Sequence, residues 1–259
     1  MKTQLIMIAT GAISLFGLSS CFQIESTINV KKDGSGTVTE EMILGEQMKM
    51  MLLQAGGAGG QDPMAKMLDK AKAEVRAKTM GEGVELVRVE KIEGNGKLGV
   101  RTTFKFADIN QLKYSANGAM DMGGAPDAGA QKADDTGLRF KLVDGTLNVI
   151  QKAPQGGAKG DKPEQPEMDP QQLAMMQGMM KDMRVTTKIK IEPGIKKTNA
   201  TYVNGDTIVL SDIQMGKLLA DPSKLNALQG GDFDEVKKAL KGVDGIKFED
   251  KESVSVEMK

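Results

Sequence analysis

Residues 22–44, FQIESTINVKKDGSGTVTEEMIL, decide how this chain folds. One parity of the first half carries Phe22, Ile24, Ser26, Ile28 and Val30, and one parity of the second half carries Val38, Glu40, Met42 and Leu44. Alternation with a period of two is the pattern of a half-buried strand. Between the two runs, Asp33-Gly34-Ser35-Gly36 supplies residues that suit a tight turn. The stretch therefore predicts a β-hairpin.

Three more hairpins are predicted along the chain by the same alternation around Gly, Asn and Asp turns. They lie at 84–93 with 97–106, at 138–142 with 147–149, and at 195–203 with 207–210, and one further strand lies at 185–191. In the predicted strand at 97–106, one face carries Leu98, Val100, Thr102, Phe104 and Phe106. In the predicted strand at 185–191, one face carries Val185, Thr187, Ile189 and Ile191. Because strands joined by tight turns are antiparallel, the predicted fold class is α+β, an antiparallel sheet of hairpins with a few packed helices.

Three helices are predicted from capping residues and helical spacing. The first opens at Asp62-Pro63 and ends at Gly81; its apolar face carries Met64, Met67, Leu68, Ala71 and Val75, while Arg76 belongs to the charged outside. The second opens at Asp169-Pro170 and carries Leu173, Met176, Met180 and Met183. The third runs from Asp232 or Asp234 to about Leu240.

The predicted domain organisation has a leader at 1–20, a β-rich domain at 21–229, and a C-terminal helix-strand unit at 230–259 packed on the same domain. Long Gly- and Pro-rich stretches near 54–61, 115–136 and 151–170 are predicted to be flexible inserts in the β-rich domain.

The leader consists of Lys2 and an apolar run at 5–18. Fourteen residues are too few for a membrane-spanning helix, which needs about 20, so the run is typical of a secretory signal. It closes on Leu18-Ser19-Ser20-Cys21, which resembles the lipobox of bacterial lipoproteins. The resemblance implies cleavage between Ser20 and Cys21 and lipidation of Cys21, typically with palmitate-length chains. An ordinary signal peptide with a chance cysteine is the alternative.

The order of the motifs resembles the LppM-like lipoproteins of bacteria. The lipobox is followed at once by the hairpin at 22–44, then by TTFKFADINQL at 102–112 and IKIEPGIKKTNATYVNGDTIVL at 189–210. The resemblance covers roughly residues 21–210. It implies a β-rich α+β domain, attachment to the membrane through Cys21, and a surface or lipid-associated role. This sequence lacks the C-terminal transmembrane segment that the family often has.

Composition narrows the chemistry further. The 259 residues contain 35 Lys and Arg against 35 Asp and Glu, which argues against a nucleic-acid partner. The absence of His removes imidazole catalysis and His-based metal sites, and a single Cys removes an intrachain disulfide. We therefore predict no enzyme activity, no catalytic residues, no cofactor and no metal site.

Phe22, rather than Asp, after Cys21 favours the outer over the inner membrane if the source has both.

The 19 methionines allow three interpretations. The simplest is a methionine-rich core, since the chain has only seven Phe, two Tyr and no Trp. A second is an adaptable apolar groove for a lipid or an envelope protein. A third is a periplasmic copper(I) patch at Met175, Met176, Met179, Met180 and Met183, or at Met48, Met50 and Met51. The favoured function is a non-enzymatic, membrane-anchored interaction or lipid-binding module of the cell envelope; the alternatives are copper(I) binding and a purely structural envelope role.

Overall fold

A computed structural model describes residues 22–46, 49–50, 63–94, 97–115, 137–152, 178, 181–219, 224 and 233–259. Its strands are β1 Gln23–Val30, β2 Gly36–Ile43, β3 Glu85–Gly94, β4 Lys97–Phe106, β5 Lys113–Tyr114, β6 Gly137–Val143, β7 Thr146–Lys152, β8 Arg184–Ile191, β9 Ile195–Thr198, β10 Val203–Asn204, β11 Thr207–Gln214, β12 Lys247–Phe248 and β13 Ser253–Met258. Its helices are α1 Pro63–Met67, α2 Lys70–Thr79, α3 Met215–Leu219 and α4 Phe233–Leu240, with a 3-10 turn at Ile109–Gln111. Strands predominate and helices are few, which confirms the α+β fold class.

The strands form two sheets. The large sheet has the order β10-β11-β8-β1-β2-β4-β3, with β12 also paired to β11, and the small sheet has the order β5-β6-β7-β13-β9. The predicted hairpins β1–β2, β3–β4 and β6–β7 are confirmed as antiparallel pairs. The C-terminal strand β13 lies between β7 and β9. The predicted domain boundary near residue 230 stays a prediction.

One pairing in the large sheet is parallel and was not predicted. β1 lies beside β8 over its whole length, from Gln23 opposite Arg184 to Val30 opposite Ile191. Periodicity identifies a strand but not its non-local neighbour, and strands distant in sequence have no turn to fix their direction. The large sheet is therefore antiparallel except at its centre.

The predicted hairpin of 195–203 with 207–210 is wrong in its first strand. β9 pairs with β13 in the small sheet, and only the two residues of β10 pair with β11. The chain changes sheet at Thr201, whose backbone N–H and hydroxyl donate to the fully buried Glu249 carboxylate at 2.6 and 2.9 Å. This fixed corner separates two strands that read as one in the sequence.

The first predicted helix is divided, and its inward face is different from the predicted one. Asp69 caps α2 by accepting from the backbone N–H groups of Ala71 at 2.8 Å and Lys72 at 3.4 Å, so α1 and α2 are separate helices. Val75, predicted to face inward, is 61% exposed, and Arg76, predicted to face outward, is mostly buried. The break resets the helical phase.

The main core lies between the two sheets and under α2. It is built from aliphatic and aromatic side chains of both sheets, among them Ile28, Val38, Phe104, Phe106, Tyr114, Phe140, Leu147, Val149, Ile189 and Val256. In the part of the chain that the structure describes, no helix is long and apolar enough to cross a membrane. The second predicted helix, at 169–183, and the predicted flexible stretches lie almost wholly outside the described residues.

Candidate functional site

The two residues predicted for signal cleavage and lipidation, Ser20 and Cys21, lie outside the described residues. The described chain begins at Phe22, immediately before β1, and the half-buried Phe22 ring packs against a small apolar cluster. The predicted attachment point is therefore adjacent in sequence to this cluster.

The predicted copper patches fall mainly outside the described residues. Met175, Met176, Met179, Met180, Met48 and Met51 are not described, whereas Met50 is 59% exposed and Met183 is half-buried. Among the described residues there is no group of three or more His, Cys, Asp or Glu arranged to hold a metal ion. Copper binding by the thioethers stays a prediction.

Met183 belongs to an apolar cluster that is separate from the main core, and we call it the methionine cluster. Its buried members are Ile24, Met42, Leu44, Met64 and Val100, and its half-buried members are Phe22, Met67, Leu68, Val89, Leu98 and Met183. The inner face of the large sheet forms its floor, and α1 covers it with Met64 and Met67. Unbranched thioether side chains adapt to neighbours of different shape more readily than branched or aromatic side chains do.

A cleft opens between α1 and the floor of the methionine cluster. It is lined by Ile24, Glu40, Glu41, Met42, Met67, Val100 and Thr102. As it stands the cleft has room for about one water molecule. The lining is apolar on the side of the methionine cluster and polar where Glu40 and Thr102 lie.

Glu40 and Thr102 belong to a row of polar side chains that crosses the inner face of the large sheet. The strand register aligns Thr187 of β8, Ser26 of β1, Glu40 of β2 and Thr102 of β4. All four are buried, with exposed fractions from 0 to 5%. We call this row the polar belt. The main core lies on one side of it and the methionine cluster on the other.

Two side chains from other elements complete the polar belt. Arg76 of α2 donates from Nη2 to Glu40 Oε1 at 3.0 Å and to the Ser115 carbonyl oxygen at 2.7 Å. Its guanidinium carbon lies 5.6 Å from the ring centre of Tyr114, a cation–π distance. Arg76 thereby neutralises a carboxylate that is expensive to bury alone.

Several polar atoms of this group have no hydrogen-bond partner within the described part of the chain. They are Glu40 Oε2, Arg76 Nε and Thr102 Oγ1, whereas the Tyr114 hydroxyl, although outside strict hydrogen-bond geometry, is close enough to Ser26 and Glu40 for both to act on its pKa. An unsatisfied buried polar group costs roughly 1–3 kcal/mol, so such atoms point to a water or a ligand group as partner. Burial raises the pKa of Tyr114, and the charge of Glu40 acts in the same direction. The phenol therefore stays protonated and can donate a hydrogen bond.

The sequence contains a signal for the polar belt. Ser26, Glu40, Thr102 and Thr187 each occupy an inward position in a run that is otherwise mostly apolar. Recognising them as one row required the register of four strands, including the parallel pairing of β1 with β8. Arg76 had no such signal, because the helix break that turns it inward was not predicted.

Comparison with known proteins gives one match. No protein-family model matches the chain, and no curated protein matches it. The chain is similar to the folded domain of the lipoprotein LppM from Mycobacterium tuberculosis, solved by NMR: the match covers 80% of this chain and 90% of that domain, with 9% sequence identity and a TM-score of 0.36.

Proposed function

We propose that this chain is a non-enzymatic lipoprotein of the bacterial cell envelope, tethered by acylated Cys21, and that its methionine cluster binds the acyl chain of a lipid. The leader with its LSSC sequence supports the tether. Two or three acyl chains on one residue give stable membrane attachment. Phe22 after the cysteine supports the outer membrane where the source has two.

The observation that carries lipid binding is the cleft between α1 and the methionine cluster. Its wall is apolar and rich in thioethers, and its inner end meets the polar belt, where Glu40 Oε2 and Thr102 Oγ1 lack partners among the described residues. An amphiphile matches this arrangement, with its chain on the methionines and its polar group at the belt.

Entry of an acyl chain requires α1 to move, because the cleft holds only about one water molecule. Helix α1 has five residues and ends at the break before Asp69, and so short a helix has little stability of its own. Helix α2 is held independently through the ion pair of Arg76 with Glu40. The cover of the cleft can therefore shift while α2 stays in place.

Native mass spectrometry of the intact protein tests lipid binding. Lipid bound without a covalent bond adds mass that is lost on collisional activation, whereas the acyl groups on Cys21 remain. Met67→Lys places a charge at the mouth of the cleft and should lower the bound fraction at least tenfold. Val75→Lys, at an exposed position of the neighbouring helix, should not change it. Equal lipid retention by both variants would contradict binding in the cleft.

The tether has its own test. Cys21→Ala should block processing of the leader and release the protein from washed membrane fractions into an unprocessed pool. Normal maturation of this variant, with membrane retention at the wild-type level, would exclude the lipid anchor.

A further inference from the structure

Several strands of the large sheet begin or end at the same end of the sheet as Phe22, the first described residue. We call this the entry end. The register places Gln23 of β1 opposite both Ile43 at the end of β2 and Arg184 at the start of β8. Arg184 is in turn opposite Gln214, the last residue of β11, and Ile43 is opposite Gly99 near the start of β4. Five adjacent strands thus begin or end here.

The methionine cluster and two short helices lie at the entry end. Helix α1 packs there through Met64 and Met67. Helix α3 follows β11 directly, and the Met215 N–H donates to the Met183 carbonyl oxygen at 2.8 Å. The entry end is therefore partly apolar, with half-buried Phe22, Leu98 and Met183 around its floor.

Four exposed lysines surround this apolar area. Lys66 lies on α1, Lys97 begins β4, Lys181 precedes β8 and Lys217 lies on α3. None of the four has an ion-pair partner within the described ranges. From β11 to β4 they span four strand spacings of about 4.8 Å, or roughly 19 Å.

Most other charges at the entry end are neutralised. Arg184 pairs with Asp212 at 2.6 Å, Lys91 with Glu93 at 2.7 Å and Lys49 with Glu46 at 2.7 Å. Asp182 is an exposed carboxylate beside Lys181, and Asp69 is engaged in capping α2. Counted over the described residues, the four lysines therefore give this surface a net positive charge.

The opposite end of the large sheet has a different character. Its turns carry the carboxylates Asp33, Asp108, Glu192 and Asp206 beside the exposed Lys31 and Lys32. These carboxylates accept hydrogen bonds from Ser35, Asn110, Asn29 and Thr207, respectively. Of the two ends, only the entry end has more exposed lysines than carboxylates among its described residues.

We propose that the entry end is a docking surface for a membrane containing anionic lipids, with Lys66, Lys97, Lys181 and Lys217 contacting the headgroups. The tether at Cys21 is taken from the proposed function. Because consecutive Cα atoms are 3.8 Å apart, acyl chains on Cys21 would attach beside Phe22, which lies at the entry end. The lysines face the same membrane, and each basic residue at an anionic surface strengthens binding about fivefold. The mouth of the cleft then opens toward the bilayer.

Fluorescence quenching on vesicles tests this orientation with the intact acylated protein. Single cysteines introduced as Asp182→Cys at the entry end and Lys32→Cys at the opposite end carry the dye, since Cys21 is blocked by acylation. A nitroxide-labelled lipid is the quencher, in vesicles of phosphatidylcholine with or without phosphatidylglycerol. The dye at position 182 should be quenched at least threefold more than the dye at position 32, and more strongly when phosphatidylglycerol is present.

The matched variants isolate the lysines. Changing Lys66, Lys97, Lys181 and Lys217 to Gln should reduce quenching at position 182 on phosphatidylglycerol vesicles to the level on neutral vesicles. Changing the exposed Lys31, Lys113, Lys141 and Lys190, which lie away from the entry end, to Gln should leave it unchanged. Equal quenching at both dye positions, or no response to phosphatidylglycerol, would overturn the docking surface.

Acylation is measured separately from the mass of the N-terminal peptide. An acylated protein with equal quenching at the two positions would overturn the docking surface and leave the tether intact. A protein without acyl groups that still floats with phosphatidylglycerol vesicles, through the four lysines, would overturn the tether and leave the docking surface intact.

Discussion

The main core and the methionine cluster occupy the same face of the large sheet but are built differently. The main core is enclosed by two sheets and α2 and contains Phe104, Phe106 and Phe140. Among the described residues, α1 covers one side of the methionine cluster, and Met42, Met64, Met67 and Met183 provide much of its bulk. Rigid side chains between two sheets favour one packing arrangement, whereas thioethers under a short helix allow several. Under the proposed function, stability and lipid binding lie on opposite sides of the polar belt.

The largest loss of unfolding free energy is expected for a substitution in the main core. Phe104 is fully buried, and Phe104→Ala should lower the free energy of unfolding by about 3–5 kcal/mol, because the ring leaves a cavity between two sheets. Urea denaturation measures the change. Val87→Ala, at a position that is 50% exposed on β3, serves as the control and should be close to neutral. A loss below about 1 kcal/mol for Phe104→Ala would contradict a tightly packed main core.

The next effect concerns the polar belt that separates the two regions. Arg76→Leu leaves the Glu40 carboxylate buried without its cation and should cost about 3 kcal/mol in unfolding free energy. The double variant Glu40→Leu with Arg76→Leu should recover most of this loss, because both charges are removed together. Equilibrium denaturation of the two single variants and the double variant gives the coupling. Additive losses would show that the ion pair is not isolated from water.

A smaller effect is expected in the methionine cluster. Met42→Leu and Met64→Leu conserve volume and should each change the free energy of unfolding by less than about 1.5 kcal/mol. The same substitutions should weaken lipid retention in native mass spectrometry, because Leu adapts less readily than Met to an occupant. Lipid retention equal to that of the wild type would show that adaptability of the cluster is not required.

The smallest effect is expected at the rim of the entry end, on the outer face of the sheet. The Arg184 guanidinium holds the pKa of Asp212 below its ordinary value of 3.8. A lowered folded-state pKa means that the stabilising contribution is fully present above about pH 4 and is lost as pH falls through the folded value. Wild type should therefore be more stable than Asp212→Asn at pH 6 in thermal melts, and the difference should shrink progressively as pH falls below about 4. A pH-independent difference would exclude the linkage.

Much of the fold could be predicted from local patterns. Alternation around glycine turns identified β1–β2, β3–β4 and β6–β7, because both partners of a hairpin lie within one short stretch. The pairing of β1 with β8 and the transfer of β9 to the small sheet depend on contacts between distant residues. Periodicity contains no information about such contacts.

The candidate site was predicted only in its chemistry. The sequence indicated adaptable methionines, but the described part of the chain places the cluster at Met42, Met64, Met67 and Met183, of which only Met183 belongs to the richest methionine segment. Arg76 was assigned to the wrong helix face, since a cap at Asp69 within an apparently continuous helix shifts every later residue. The ion pair of Arg76 with Glu40 therefore could not be predicted from the sequence.

The parallel pairing of β1 with β8 also has a kinetic consequence. Residue 23 pairs with residue 184, so the centre of the large sheet cannot close until the chain about 160 residues further on is also available for folding. During that interval the hairpin β1–β2 would present an unpaired strand edge and an apolar face. Such an edge can pair with the edge of another chain. Incompletely folded molecules tethered to one membrane would collide often, which favours this association.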